Sequence, residues 1–274
     1  MKNINVAIPT PFHDNERLYL EGFKLIVEHL KNNGIESFLV SGTTGEQHSM
    51  TIDERLQIID YFNQQKFKGV ELLFGVSATR TSDAIKLIQA IEKSIFDIIL
   101  IGFPPYIQPT QQQAIFYVNE LFKHTTKKVV LYNNPFRTGF DLRTESLNIL
   151  ITQHSNLSGL KDEGDINRYK NTKLPDDFIL FSGGDINFIE KINNGCNGLS
   201  SMVGNVYPKE IKQAFNNLLM NRPVDHYKIK QLIDEVTYHQ TIMNIKQHYN
   251  NLGMKVGTCR APINTYKETV VQIV

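Results

Sequence analysis

Lys161 closes the apolar run Leu157-Ser158-Gly159-Leu160-Lys161, which has the composition of a strand covered on both faces. A free lysine amine titrates at about 10.4 and is almost wholly protonated at neutral pH. Taking it out of water disfavours the cation and supplies the neutral amine that Schiff-base chemistry on a keto acid requires. The same lysine could instead pair with Asp162 or Glu163 at a solvated rim. Tyr132, near the end of Lys128–Asn133, offers a phenol for proton transfer, or simply a buried ring with one satisfied hydroxyl. Thr43 and Thr44 set two hydroxyls between Gly42 and Gly45. That pattern suits a carboxylate and is equally compatible with a plain turn. Arg137 follows the turn Tyr132-Asn133-Asn134-Pro135. Its planar fork fits bidentate carboxylate binding, with a surface arginine as the bland alternative.

Other chemistries find less support. The 42–45 run lacks the Gly-Lys-Ser/Thr ending of a phosphate-binding P-loop and is not GxGxxG, which argues against nucleotide binding. His13, His29, His48, His124, His154, His226, His239 and His248 are scattered without metal-ligand spacing. Asp162, Glu163 and Asp165 could hold a cation but read more simply as a solvated loop. Cys196 and Cys259 stand far apart, which fits packed thiols in a reducing compartment rather than a disulfide framework. No metal and no cofactor is expected.

These side chains need a scaffold that brings strand ends together. Short β-rich runs recur at 5–9, 36–41, 71–77, 97–102, 128–133, 157–161, 178–183 and 198–202. Between them lie segments of helical periodicity, with Leu20, Phe23, Val27 and Leu30 on one face, then Ile52, Leu56, Ile59 and Phe62, then Ile115, Val118 and Phe122. Thr51 with Glu54, and Thr110 with Gln113, have the spacing of capping boxes. Eight strands at roughly 30-residue spacing, most followed by a helix, predict an α/β fold, a (β/α)₈ TIM barrel. An open doubly wound sheet is the competing arrangement. The barrel is expected over 1–206, and C-terminal helices over 207–274, in segments 208–220, 224–250 and 260–274, are expected to pack on it as part of one unit. In such a barrel Thr43, Thr44, Tyr132, Lys161, Asp162 and Glu163 fall at the C-terminal ends of strands, with Arg137 just beyond, where TIM-barrel active sites lie.

The chain has 274 residues, 41% hydrophobic and 21% charged, with 29 Lys and Arg against 28 Asp and Glu. A net charge of +1 offers no general attraction for nucleic acid or an anionic membrane. The opening MKNINVAIPTPF lacks the apolar stretch of a secretory leader, and no segment reaches the roughly 20 apolar residues of a membrane span. A cytoplasmic protein is the expectation.

Gly42-Thr43-Thr44-Gly45-Glu46, Tyr132 to Gly139 (YNNPFRTG), Gly159-Leu160-Lys161 and Ser182-Gly183-Gly184-Asp185 occur in an order and spacing that resemble the dihydrodipicolinate synthase / N-acetylneuraminate lyase family of class I aldolases, along essentially the whole chain. The resemblance implies that Lys161 condenses with the C2 carbonyl of pyruvate, with the iminium as electron sink and no other cofactor. It further implies that Tyr132 shuttles protons, that Thr43 relays them between Tyr132 and Tyr106, and that Thr44 holds the pyruvate carboxylate. Tyr106 is implied to reach in from a neighbouring subunit, hence a homodimer or homotetramer. Ser200 matches the family's backbone contact to pyruvate. Arg137 points to the synthase branch, which condenses pyruvate with aspartate semialdehyde to 4-hydroxy-tetrahydrodipicolinate on the way to lysine and diaminopimelate. The sequence departs from that branch at Pro105, at Ser200, and at Phe136, which is expected to crowd the second-substrate pocket. Ile52 and Arg55 stand where lysine-sensitive members have histidines. A 2-keto-3-deoxy sugar acid or sialic-acid-type pyruvate aldolase stays open as the alternative, and a catalytically idle ligand-binding barrel as the non-enzymatic one.

Overall fold

Parallel strands whose side chains are apolar on both faces must be covered on both, and here closure covers the inner one. The computed structural model describes residues 1–65, 67–169 and 172–265. Eight strands, β1 (Ile4–Ala7), β2 (Ser37–Val40), β3 (Glu71–Val76), β4 (Ile98–Gly102), β5 (Lys128–Asn133), β6 (Leu157–Asp162), β7 (Ile179–Ser182) and β8 (Gly198–Ser201), close in sequence order into one parallel barrel. The outer ring is α1 (Leu20–Asn32), α2 (Ile52–Gln65), α3 (Thr81–Glu92), α4 (Gln111–Phe122), α6 (Thr144–Gln153), α7 (Phe188–Asn193) and α8 (Pro208–Leu219), with the single turn α5 (Pro135–Thr138) in the loop after β5. Two further helices, α9 (His226–Thr237) and α10 (Thr241–Asn251), follow. Among the described residues, no helix is long and apolar enough to cross a membrane.

The two-residue alternation of each strand divides the core in two. Ala7, Leu39, Leu73, Ile98, Leu100, Val130, Ile179 and Phe181 fill the barrel interior, with Met1 and Tyr132 packed against them. Their strand neighbours, among them Val6, Phe38, Phe74, Ile99, Ile101, Leu131, Leu160 and Leu199, face the helices. Gly198 is needed for this filling, because a Cβ there would lie 2.6 Å from the Phe181 ring. Tyr132 pairs with Lys161, and Lys161 with Phe181, so parity turns both polar side chains inward at the top of the filled interior.

The anticipated helix faces are the ones that pack. Phe23, Val27 and Leu30 of α1 are buried together with Ile26, and α4 buries Val118 and Phe122. On α2 the buried stripe includes Arg55 beside Ile58, Ile59 and Phe62, leaving Ile52 and Leu56 only partly covered. Both capping boxes form: the Thr51 amide donates to Glu54 Oε2 at 2.9 Å and the Glu54 amide to Thr51 Oγ1 at 3.2 Å, with the reciprocal pair at Thr110 and Gln113.

The C-terminal part differs from expectation. The stretch 224–250 is two helices rather than one, broken at Tyr238–Gln240, where His239 takes a left-handed φ of 56°. Asn244 Nδ2 donates to the carbonyls of Val236 and Tyr238, replacing the bonds a continuous helix would have made. Of 260–274, only the short turn Ile263–Thr265 is helical in the described part; residues 266–274 lie outside the described residues.

The C-terminal helices are tied to the barrel by a buried ion pair between Lys246 of α10 and Glu46, with side chains 2% and 0% exposed. Lys246 also donates to the Thr258 carbonyl and sits 4.3 Å from the centroid of the Phe12 ring, while the Arg260 amide donates to the other Glu46 oxygen at 3.0 Å. Removing one partner of a buried pair strands the other charge, at about 3–5 kcal/mol. Lys246→Met is therefore expected to lower the unfolding midpoint strongly, and adding Glu46→Gln is expected to recover much of the loss. Denaturant melts of the two variants check this; equal midpoints for wild type and Lys246→Met would contradict it.

Candidate active site

Lys161 is the most consequential polar residue in the barrel mouth. Its side chain rises from β6 between the rings of Tyr132 and Phe181 and is 6% exposed. The amine donates to Ser200 Oγ at 3.0 Å, and that hydroxyl donates in turn to Oδ1 of buried Asn5 at 2.8 Å. Nζ stands 4.8 Å from the centroid of the Tyr132 ring. Burial pulls the amine down to about 8. Glu163 and Asp185 oppose that shift, and the positive charges of Arg137 and Lys191 reinforce it. At pH 7 such a group is roughly one-tenth neutral, against about one part in 2,500 for a free lysine. The rim pairing with Asp162 or Glu163 that the sequence left open is not formed. Asp162 bonds Arg168, Tyr169 and Asn133, and Glu163 pairs with Lys191.

Tyr132 brings a phenol to the same space. Burial raises its pKa and the negative charge of Glu163 adds to this, while hydrogen bonds from Asn134 and Thr43 and the charge of Arg137 work the other way. The phenol is thus protonated near neutrality and solvated by groups able to stabilise a transient phenolate. Asn134 does two jobs. Its Nδ2 donates to the Tyr132 hydroxyl at 2.8 Å, and its Oδ1 caps α5 by accepting from the Arg137 amide at 3.2 Å.

The 42–45 loop supplies Thr43 and Thr44 from the end of β2. Both line the cavity in front of Lys161, with Tyr132, Arg137, Glu163 and Met202. The loop is bracketed by two non-glycine residues in left-handed conformation, Ser41 at φ 54° and Glu46 at φ 53°. Such conformations persist where surroundings over-determine them. Buried Arg55 supplies one side, donating to Ser41 Oγ at 3.0 Å, Ser77 O at 3.0 Å and Gly75 O at 2.6 Å. Its guanidinium, drawn down to about 10 by burial, is committed to these acceptors. The ion pair of Glu46 with Lys246 supplies the other side.

The cavity shares Thr43, Tyr132 and Arg137 with a wider cleft of about 840 Å³ that also involves His48, Phe103 and Pro105. Arg137 is thereby brought to the mouth. Phe136 is not: it is 89% exposed and lines neither space, so the expected crowding of the second-substrate pocket does not occur. With Asn134 as cap and Pro135 in the first helical position, the single turn of α5 sends Phe136 to solvent and Arg137 to the cavity. Tyr106 is likewise absent from its own chain's site. It lies on the loop after β4 with φ 80° and 92% exposure. Ser200, at the end of β8, brings its side-chain hydroxyl to the amine.

Three participants were not anticipated. Asn5 is a polar residue inside an apolar strand, a signal visible in the sequence. Asn134 was only part of a turn, and Glu163 was only a rim charge. Its place two residues beyond Lys161, on the same face of the extended chain, could have found it. Among the described residues, no group of three or more His, Cys, Asp or Glu could hold a metal ion.

The chain is similar to the 4-hydroxy-tetrahydrodipicolinate synthase of Karelsulcia muelleri, 28% identical over 274 residues covering 96% of this chain and 93% of that protein. It is also 28% identical to the enzyme of that name from Methanosphaera stadtmanae, with the same coverage of 96% and 93%. In fold it matches the crystal structure of dihydrodipicolinate synthase from Aquifex aeolicus with a TM-score of 0.89, covering 96% of this chain and 92% of that one at 23% identity. The sequence profile of the Dihydrodipicolinate synthetase family matches residues 1–273. The chain belongs to the dihydrodipicolinate synthetase family and is an enzyme of its class I, pyruvate-dependent lyase type.

Proposed function

We propose that this enzyme condenses pyruvate with aspartate semialdehyde to 4-hydroxy-tetrahydrodipicolinate, with Lys161 as the Schiff-base amine. The observation that carries the reading is the pairing of a buried, partly neutral Lys161 with a single arginine, Arg137, at the cavity mouth. Neutral Nζ attacks C2 of pyruvate, and loss of water from the carbinolamine leaves an iminium. Its positive charge acidifies C3: as a C3 proton departs, the electron pair of that C–H bond forms the C2–C3 double bond and the C=N pair moves onto nitrogen, which gives the enamine. C3 of the enamine then attacks the aldehyde carbon, the aldehyde oxygen takes up a proton, and the iminium is regenerated. The substrate's α-ammonium gives up its proton, its nitrogen adds to C2, and C2 expels the Lys161 amine, which closes the ring as a cyclic imine and frees the enzyme. Tyr132, hydrogen-bonded to Thr43, is the group placed to move these protons. Thr44, buried at the cavity wall, holds the pyruvate carboxylate. Arg137 takes the carboxylate of the aldehyde by a bidentate contact. The iminium performs the electron withdrawal, so the reaction needs no metal or further cofactor.

A second copy of the chain completes the relay in this reading. Tyr106 at 92%, Phe136 at 89% and Ile107 at 55% exposure are large apolar side chains near the cleft. Burying them against a partner is favourable and carries Tyr106 to the neighbouring site. A homodimer is the minimal active unit.

Two measurements test this. Borohydride with pyruvate is expected to add a reduced pyruvyl group at Lys161, located by peptide mass mapping; labelling elsewhere, or none, would contradict the mechanism. Arg137→Leu is expected to lower kcat/KM for aspartate semialdehyde by about ten- to a hundredfold, the loss of one charge-assisted contact of about 1.5–3 kcal/mol, with a smaller effect on pyruvate. Wild-type enzyme that ignores aspartate semialdehyde but cleaves a 2-keto-3-deoxy sugar acid would transfer the assignment to the aldolase branch.

A further inference from the structure

The cavity in front of Lys161 is lined by one carboxylate among the described residues, Glu163. Its direction follows from the strand. The Glu163 amide donates to the Asn133 carbonyl at 3.0 Å, extending the β5–β6 ladder one step past Asp162. Gly159, Lys161 and Glu163 therefore share the inward face. The neighbouring carboxylates are otherwise engaged. Asp162 is buried against Arg168, Tyr169, Asn133 and the Gly164 amide. Asp185 is fully buried and accepts from Ser201 Oγ and from the amides of Met202 and Val203.

Glu163 is seated rather than loose. One oxygen, Oε2, meets Lys191 Nζ at 3.3 Å. The other, Oε1, lies over the backbone of Gly183 and Gly184, where a Cβ on either glycine would come within 3.0 Å of it. The pair of glycines leaves the space that the carboxylate occupies. Its negative charge is felt at both reacting groups, raising the Lys161 amine and the Tyr132 phenol against the pull of Arg137 on each. The mouth thus presents a carboxylate and a guanidinium on the same small cavity, one charge of each sign beside the Schiff-base nitrogen.

We propose that Glu163 is a specificity-determining residue that pairs with an ammonium group α to the carboxylate held by Arg137, so that the acceptor half of the site selects an amino-acid aldehyde over its deaminated counterpart. The proposal rests on the synthase reading for the aldehyde end and concerns how the dipolar end is recognised on binding, before its nitrogen is deprotonated for ring closure. Arg137 alone would bind any short carboxylate; the carboxylate of Glu163 adds attraction for the zwitterion and offers nothing comparable to an analogue carrying CH₂ in place of CH–NH₃⁺. A purely structural ion pair with Lys191 would be indifferent to that difference.

Non-reacting probes separate the two ends. L-Homoserine and 4-hydroxybutanoate match the two aldehydes reduced to alcohols and differ only in the ammonium group. Calorimetry on the full-length enzyme with saturating pyruvate is expected to show homoserine binding about tenfold or more tightly than 4-hydroxybutanoate. Glu163→Gln is expected to bring the ratio close to one, and Glu163→Asp to keep homoserine preferred. Equal affinities in wild type, no binding of either probe, or a preference that survives in Glu163→Gln would overturn the proposal. Failure of the synthase reading looks different: wild type would still prefer homoserine yet leave aspartate semialdehyde unconsumed.

Discussion

An ammonium group withdrawn from water loses a hydration shell that the surroundings must replace, and where they replace it only in part the proton becomes easier to lose. That constraint acts on Lys161 and governs the rest of the site. The filled barrel interior stops just beneath it, with Phe181 and Tyr132 on the flanking strands, so the amine is left almost wholly buried at the base of the cavity. Ser200 gives it one hydrogen-bond acceptor, backed by Asn5, and among the described residues no carboxylate bonds to it directly. A direct ion pair would have held the proton on. The site instead keeps its carboxylates a step away, where Glu163 and Asp185 moderate the shift without cancelling it.

Rigidity around the amine comes from buried charges placed away from it. Arg55 clamps the end of β2 to that of β3 through the Ser41 hydroxyl and the carbonyls of Gly75 and Ser77, and the Glu46–Lys246 pair anchors the far side of the 42–46 loop to α10. These contacts are costly to desolvate and more costly to break singly. Their effect is to fix two left-handed residues and so present Thr43 and Thr44 towards Tyr132 and Lys161. The C-terminal helices thereby support the loop that lines the cavity as well as packing on the barrel.

Much of this was legible in advance because apolar strand runs, the three-residue spacing of a capping box and strand-end position are local properties of the chain. The eight strands, both capping boxes and the inward aim of Lys161 follow from them. The break at Tyr238–Gln240 was not legible, since it depends on the Asn244 side chain satisfying carbonyls that helical periodicity assumes are already bonded. The direction of Phe136 was hidden for a similar reason: a single capped turn decides which of two adjacent residues faces the cavity, and no periodicity exists over four residues. Asn5 and Ser200 are neighbours only through the closure of β8 on β1, a contact between residues 195 positions apart. Tyr106 belongs to a different category, because its partner groups are not on its own chain in the proposed assembly.

The desolvation of Lys161 is open to direct observation. Titration of its ¹⁵N-labelled amine by NMR in the pyruvate-free enzyme is predicted to show a midpoint near 8. A midpoint near 10.4, the value of a hydrated lysine, would contradict the claim that burial prepares this amine for attack.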